Sequence, residues 1–563
     1  MQNNETQYDE FGFCIDNTVE IVQSMAAPSG AQYVKVKQLR STAWVSTDSF
    51  CPDSGPGFHQ LKGRGIKVFT GQQKSALLDQ ISRRTYFPAG DIGEGPGWAS
   101  HGFNYPDGTV FTYGSDPVPV AYSTKAVCVS AQGTLEEWKA NVAAMVRDHH
   151  LPTFCLMIAF AAPLLSLSRI QGNYLFMLSG RPRNGKTTCL ELLSSVCGPA
   201  LDSAGGRYYL KFNNTLNRLE EWLPFYADLP VNIDELSSHG SKSSRMTDFR
   251  TFVHHLAGVD ARGRFNDAVA PAAQTRTIIT MTSNDTAREL LSYEAPDAAA
   301  AVEDRLIEIP VPAGAEGAFN GLEANAAVAN AFAQSLRDRI GRYHGTAMPA
   351  FIDELVTHRR DDEENLRAGI ERRMADFRAQ PEVVDAGELS SRILDLTSLV
   401  YASGVLAQHY GVLPDTLDCR AAAIHCLRLH LGLRAEADPV ARLLAWISAN
   451  DVADLRGGRR STITDTAMKE RGAVINEYSG VPQLCIARRR FISAFEDHRT
   501  MLNILARRGI LKIETEGKTK RKTTYTPVLA GGRNARMYVF NLPDFEEWLA
   551  ANGFPAPPTG RRR

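Results

Sequence analysis

The sequence predicts an α/β protein whose core carries a phosphate-binding loop (P-loop), joined to a β-rich N-terminal domain, a helical segment and a C-terminal winged helix. Three observations predict it. Gly180-Arg-Pro-Arg-Asn184-Gly185-Lys186-Thr187 fits the pattern G-x-x-x-x-G-K-[ST] without a mismatch. From about residue 171 to 312, apolar runs of strand length alternate with helical patterns, which calls for a mainly parallel sheet covered on both faces. Near the C-terminus a helix, a strand, a basic hairpin and a further strand follow one another.

The flanks of the loop suit it. Tyr174–Leu178 reads as a buried strand entering the loop, and Thr188–Val196 as a helix leaving it. Glycines let the backbone curl so that its N–H groups face a phosphate, and the helix N-terminus adds partial positive charge. Gly180, Asn184, Gly185, Lys186, Thr187 and Thr188 are therefore the candidate nucleotide ligands. In this pattern Lys186 reaches the β- and γ-phosphates of ATP, and the Thr187 hydroxyl ligates Mg²⁺.

About fifty residues on, Leu229-Pro-Val-Asn-Ile-Asp234-Glu235 is an apolar strand ending in two acids. The first, Asp234, is the candidate Mg²⁺ partner, and Glu235 the base that polarises the attacking water. Thr277–Asn284 is another buried-strand pattern ending on an amide. Asn284 either orients the lytic water or is a simple turn residue. Arg305, in Glu303-Asp304-Arg305, precedes the next strand. It reads as an arginine finger acting on a neighbour's site or as a surface ion pair with Glu303 or Asp304, with Arg288 and Arg276 as alternative fingers.

Length and composition set the limits. At 563 residues the chain suggests three or four domains, and 44% hydrophobic with 22% charged residues is globular. A net charge of −1 gives no global attraction to nucleic acid, so any DNA surface must come from local segregation of charge. Nine cysteines without a C-x-x-C pair argue for a reducing compartment and against a zinc site. The polar N-terminus does not read as a signal peptide. Leu151–Leu167 is long and apolar, but it contains Pro163, lacks basic anchors and precedes the phosphate-loop strand. It is best read as a buried core helix, so a soluble, cytoplasmic protein without membrane contact is expected (in the host cytoplasm if phage-encoded).

The expected domains are 1–125, β-rich; 126–320, the P-loop core; 321–435, helical; and 436–563, winged-helix-like. In the first, Tyr33–Val36 and Thr42–Val45 read as strands, Gln72–Arg84 as a helix, and 93–119 as hairpins. Thr134 followed by Glu137 is a capping box opening a helix. Leu322–His430 carries helical periodicity, with a joint near Pro381 and a solvated charged face at Asp361–Arg373. In the last domain, Arg499–Arg508 is an amphipathic helix, Gly509–Ile513 a strand and Met537–Leu542 a closing strand. Arg507, Arg508, Lys518, Lys520, Arg521, Lys522, Arg533 and Arg536 are the candidate phosphate contacts. A winged helix used only for protein contacts is the alternative.

Taken in order, several separate stretches resemble one family, the phage, plasmid and island proteins grouped as domain of unknown function 927. These are Gly97-Trp98 with Phe103–Pro106; Gly133–Trp138; Ala159–Leu165; Asn214–Glu220; Asn232–Leu236; Tyr343–Ala347 with Phe351; and Arg392–Pro414 including Gly404 and Ala407. The resemblance runs from about Arg40 to Leu542. Two departures stand out: Arg181-Pro-Arg183 replaces the usual small residues of the loop, and the family's fused primase is absent.

The resemblance implies an AAA+, superfamily 3 helicase-like core working as a hexameric ring on DNA, single-stranded and forked duplex, with a separate primase or other replication proteins as partners. It also implies a pore-lining hairpin at Ala257–Asn266, where Arg262 and Arg264 would grip phosphates unless this is a solvated turn. Arg392 would supply a second arginine to the γ-phosphate. The function expected is thus a mobile element's ATP-dependent DNA helicase or translocase. A DNA-binding initiator, loader or remodelling switch without processive unwinding is the alternative.

Overall fold

The computed structural model describes residues 18–552 apart from several segments, the longest of which are 212–221, 235–248, 254–275, 291–305 and 457–471. The chain divides into two compact units, one running to Leu429 and one from His430 onward.

The first unit opens on an antiparallel sheet, β1 (Glu20–Ala26), β2 (Gln32–Gln38) and β3 (Ser41–Ser46). Alternation decides its faces. Val34, Val36, Ala43 and Val45 point to a core closed by Leu61, Ile66 and Leu77, while Tyr33 and Trp44 meet Ile92 on the other side. The expected helix forms over Gly71–Ser82, started by a capping box between Thr70 and Gln73. A second small sheet follows: β4 (Gly97–Ala99), β5 (Gly102–Asn104) and β6 (Val110–Thr112). Gly102 is obligatory there. Its φ is +140°, and a Cβ would lie 1.9 Å from the Phe111 carbonyl oxygen.

This small sheet is fastened to the core through Asp228. The Trp98 N–H donates to its carboxylate at 3.1 Å, and the Trp98 indole donates to the Pro163 carbonyl at 2.9 Å. Burial pushes the Asp228 carboxyl up to about 6, against the Trp98 hydrogen bond and the nearby Arg276.

The core sheet is β7 (Tyr174–Ser179), β8 (Leu210–Lys211), β9 (Val231–Asp234), β10 (Ile278–Ser283) and β11 (Leu306–Pro310), in the spatial order β11-β7-β10-β9-β8. Every pairing is parallel. These strands read as continuous apolar runs because both faces are covered. The stretch His150–Leu167 has the length and apolarity of a membrane span, yet 89% of it is buried. It is a core helix, His150–Ala161, continued by a tighter 3₁₀ turn at Ala162–Leu167.

Long helices follow over Ala326–Arg342, Ala347–Arg378 and Ser391–His409, and a further one, Cys419–Ala437, runs past the end of the unit. Gly404 permits one crossing. A Cβ there would meet Met157 Cγ at 2.6 Å, and the adjacent Ser403 hydroxyl donates to the Met157 carbonyl at 2.8 Å. The charged side chains of Asp361–Arg373 are exposed or half-buried, as the solvated face expected there requires, but the stretch is not one straight helix. The helix kinks at Asp362, whose carboxylate accepts from the Asn365 N–H at 2.9 Å and so starts a second helix. Beyond the kink, Leu366 and Ile370 are buried, and Glu363 is held by Arg359 and Arg367 at 3.1 and 2.7 Å.

The second unit holds more sheet than a helix with a wing. Its main sheet contains β12 (Ala453–Asp454), β13 (Ala473–Tyr478), β14 (Val481–Ala487), β17 (Thr524–Leu529) and β18 (Arg533–Phe540), in the order β12-β13-β14-β18-β17. A separate hairpin is formed by β15 (Glu514–Glu516) and β16 (Thr519–Arg521). Ile475, Leu484, Ile486 and Phe540 meet Leu443, Phe491, Met501 and Leu505 from the helices Pro439–Ala449, Arg488–Ala494 and His498–Arg507. The closing strand begins at Arg533 rather than Met537, so Arg533 and Arg536 stand in a paired strand and not in a turn.

Candidate functional site

The loop between β7 and the helix Lys186–Ser195 has the backbone its sequence demands. Gly180 and Gly185 take φ of +141° and +93°. At Gly180 a Cβ would meet the Asn184 amide at 2.7 Å, and at Gly185 it would meet the Ala318 side chain at 2.9 Å. Arg183 also sits in the left-handed region, at φ +64°. A non-glycine residue there stores roughly 1–3 kcal/mol of strain. That is the physical cost of arginines where small residues are usual, and Arg181, Pro182 and Arg183 are all exposed.

Lys186 points back into the loop. Its ammonium donates to the carbonyls of Gly180 and Arg181, both at 2.7 Å, and to Asn184 Oδ1 at 3.2 Å. Burial lowers its pKa to about 8, while the charge of Asp234 works in the opposite direction. A phosphate would favour the protonated form, so above about pH 8 nucleotide binding must be accompanied by proton uptake. Nucleotide affinity is expected to weaken by about ten-fold per pH unit above that point. Calorimetric titration at pH 7 and pH 9, in buffers of different ionisation enthalpy, measures both the affinity and the proton; equal affinity at the two values would contradict it.

The acidic strand arrives beside the loop. The Thr187 hydroxyl donates to Asp234 Oδ1 at 3.3 Å, and Thr282 of β10 donates to the same oxygen at 2.7 Å. Asn232, on the same strand, donates to Ser194 of the loop helix at 2.9 Å. Hydroxyl and carboxylate oxygens side by side are the hard donors that Mg²⁺ selects, so the donor set fits that ion. Strand β10 lies between β7 and β9, and Asn284 follows it directly, exposed, at the edge where Lys186 and Asp234 meet.

Gly180, Asn184, Gly185, Lys186, Thr187, Thr188 and Asp234 thus come together in one place. Glu235, Arg262, Arg264, Arg305, Lys518 and Lys522 lie outside the described residues. Arg507 ends a helix and Arg508 follows it, exposed; Lys520 and Arg521 are on β16. Of the alternative arginines, Arg288 is in the short helix Ala287–Leu290, and Arg276 lies 3.9 Å from Asp228. Arg392 stands exposed near the start of the helix Ser391–His409, and its charge is felt at Tyr174 of β7.

Sequence reasoning missed the wall behind the loop. After β11, Ala318 N–H donates to the Asn184 carbonyl at 2.9 Å, and Gly317 approaches so closely that a Cβ would be 2.4 Å from that oxygen. Asn320 clamps this segment to the core helix: its Oδ1 accepts from His150 N–H at 2.8 Å, and its carbonyl meets His149 Nδ1 at 2.6 Å. A second brace is the buried Glu191 of the loop helix, with Arg337 nitrogens at 2.8 and 2.9 Å. Burial raises the Glu191 pKa, and Arg337 opposes it. The Gly317-Ala318-Phe319-Asn320 string was the available signal for the wall; Glu191 in an apolar helix was the signal for the brace.

Sheet order, loop and acidic strand together define an α/β protein of the phosphate-loop class. Residues 10–267 match the family described as "Domain of unknown function (DUF927)", which is the family that the sequence resembles. The match spans the N-terminal sheets, the phosphate loop and the acidic strand. No curated protein matches the chain. Among solved structures, one described as "SCCmec type IV Cch - active helicase" is similar in fold, with a TM-score of 0.58 at 15% identity and 95% of each chain covered.

Proposed function

We propose that the protein is an ATP-dependent DNA helicase or translocase of a mobile element, an AAA+ ATPase of superfamily 3 type acting as a hexameric ring in the cytoplasm. The observation that carries this reading is the Thr187–Asp234 contact of 3.3 Å beside the Lys186 ammonium, at the edge where β10 also ends. A fold shared along 95% of its length with a structure described as an active helicase supports the DNA part.

In this reading Lys186 and the loop N–H groups hold the β- and γ-phosphates, with Thr187 and Asp234 flanking Mg²⁺, which would neutralise phosphate charge. Glu235 takes the proton of the attacking water, Asn284 orients that water, and Arg305 of one subunit reaches the γ-phosphate held by the next. The products are ADP and phosphate. Arg262 and Arg264 grip the strand in the ring's pore. The C-terminal unit binds duplex through Arg507, Arg508, Lys518, Lys520, Arg521, Lys522, Arg533 and Arg536, as a winged helix does.

Strand displacement from a forked substrate tests the proposal. ATP and Mg²⁺ should both be required. ATPase activity without displacement would favour the alternative, a DNA-binding initiator, loader or remodelling switch. Neutralising Lys518, Lys520, Arg521 and Lys522 together should make the slope of log affinity against log salt on duplex shallower by roughly 3–4. Basal hydrolysis should persist. An unchanged slope would make the C-terminal unit a protein-contact module.

A further inference from the structure

The N-terminal sheet carries a surface that the catalytic reading leaves unused. Its β2–β3 hairpin turns through Leu39 and Arg40, and Leu39 takes φ +54°, a left-handed conformation that is unfavourable for leucine. The same leucine is 50% exposed. A two-residue hairpin loop calls for a positive φ at its first position, and here a leucine takes it and is held out in solvent.

The adjoining segment supplies the rest. Gln38 is buried and clamps Lys67 in both directions: its amide donates to the Lys67 carbonyl at 3.0 Å and its oxygen accepts the Lys67 N–H at 2.6 Å. That clamp brings the Leu39–Arg40 tip beside Lys67–Phe69. Phe69 is 65% exposed, and Arg40 and Lys67 are exposed with it.

Charge says what could settle there. Between residues 18 and 90 there are nine Lys or Arg against four Asp or Glu, in a chain whose net charge is −1. No acid occurs between Ile21 and Thr47, or between Ser54 and Leu78. Some of this charge is committed already: Lys37 lies 3.6 Å from Glu20, and the Arg64 guanidinium donates to the carbonyls of Trp44, Ala121 and Tyr122. Arg40 and Lys67 remain at the patch itself.

We propose that this end of the N-terminal sheet binds single-stranded nucleic acid, with Phe69 stacking on a base and Arg40 and Lys67 contacting the flanking phosphates. An exposed ring two residues from an exposed lysine, on a segment clamped to the Arg40 turn, suits a single strand, whose bases are free to stack on it. A duplex keeps its base faces covered, and two cations would neutralise little of its backbone. The inference rests on the proposed action on DNA and adds a contact outside both the ring pore and the C-terminal unit.

The test uses the full chain and a dye-labelled oligodeoxythymidylate, read by fluorescence anisotropy. Phe69→Ala should weaken binding about ten-fold and Phe69→Trp should retain it, because stacking needs a ring. Arg40→Ala with Lys67→Ala should make the salt slope shallower by roughly 1.4 on a single strand. Hydrolysis without DNA should be unchanged in all three, since none of these residues touches the phosphate loop.

Normal strand binding with an unchanged slope in the variants would overturn the inference while leaving the proposed function standing. An equal loss on hairpin duplex, or a changed oligomeric state of Phe69→Ala in sedimentation, would also overturn it, making the patch a duplex or protein contact. A wild-type chain that binds no nucleic acid would bring down the inference and the proposed function together.

Discussion

Lys186→Ala is expected to reduce ATP hydrolysis to background, the largest effect of any single substitution in this protein. The ammonium sits within 2.7 Å of two loop carbonyls, and no other lysine lies in the loop. Removing it deletes the charge that meets the β- and γ-phosphates and leaves those carbonyls pointing at a polyanion. Both nucleotide binding and turnover should be lost, as equilibrium binding of a fluorescent ATP analogue and a phosphate-release assay will show. Glu235→Gln separates the two steps. Its amide cannot take a proton from water, so nucleotide should bind while turnover fails. Wild-type turnover in Glu235→Gln would remove Glu235 from the mechanism.

Arg305→Ala is expected to slow hydrolysis by about 10³-fold with nucleotide binding nearly intact, the usual scale for an arginine acting across a subunit boundary. A finger acts on the neighbour's nucleotide, so complementation is the decisive measurement. Mixing Arg305→Ala with Glu235→Gln should restore part of the activity, because some boundaries then join an intact base to an intact finger. Recovery in no mixture, or full activity from a strict monomer, would end the shared-site reading. The ring itself would then need another basis.

Much of the core was legible because its signals are local. A loop that must cradle phosphate needs glycines at positive φ, a lysine and a hydroxyl in consecutive positions, and Gly180 to Thr187 supplies all of them. The capping boxes at Thr134 and Thr70 form between residues three apart, and the one at Thr134 was read directly. Buried parallel strands announce themselves as unbroken apolar runs, as at Tyr174–Ser179 and Ile278–Ser283.

The C-terminal unit was harder to read. Ala473–Tyr478 and Val481–Ala487 form a hairpin around a Gly480 at φ +82°, but each strand mixes polar with apolar residues, and the hairpin went unread. Its core is assembled from strands and helices spread from Leu443 to Leu549, so no single window carries the signal.

The sequence alone determined which chemistry this chain carries: an ammonium, a hydroxyl and an acid of the types that phosphate and Mg²⁺ require. The tertiary structure decided which of those groups meet. Thr187 and Asp234 are 47 positions apart and share a hydrogen bond only because β9 lies in the same parallel sheet as β7. Asn320 braces His149 across 171 positions, and Arg337 reaches the buried Glu191 of the loop helix across 146. Backbone conformation depends on neighbours along the chain, but contact depends on strand order and helix crossing, which distant residues settle through burial.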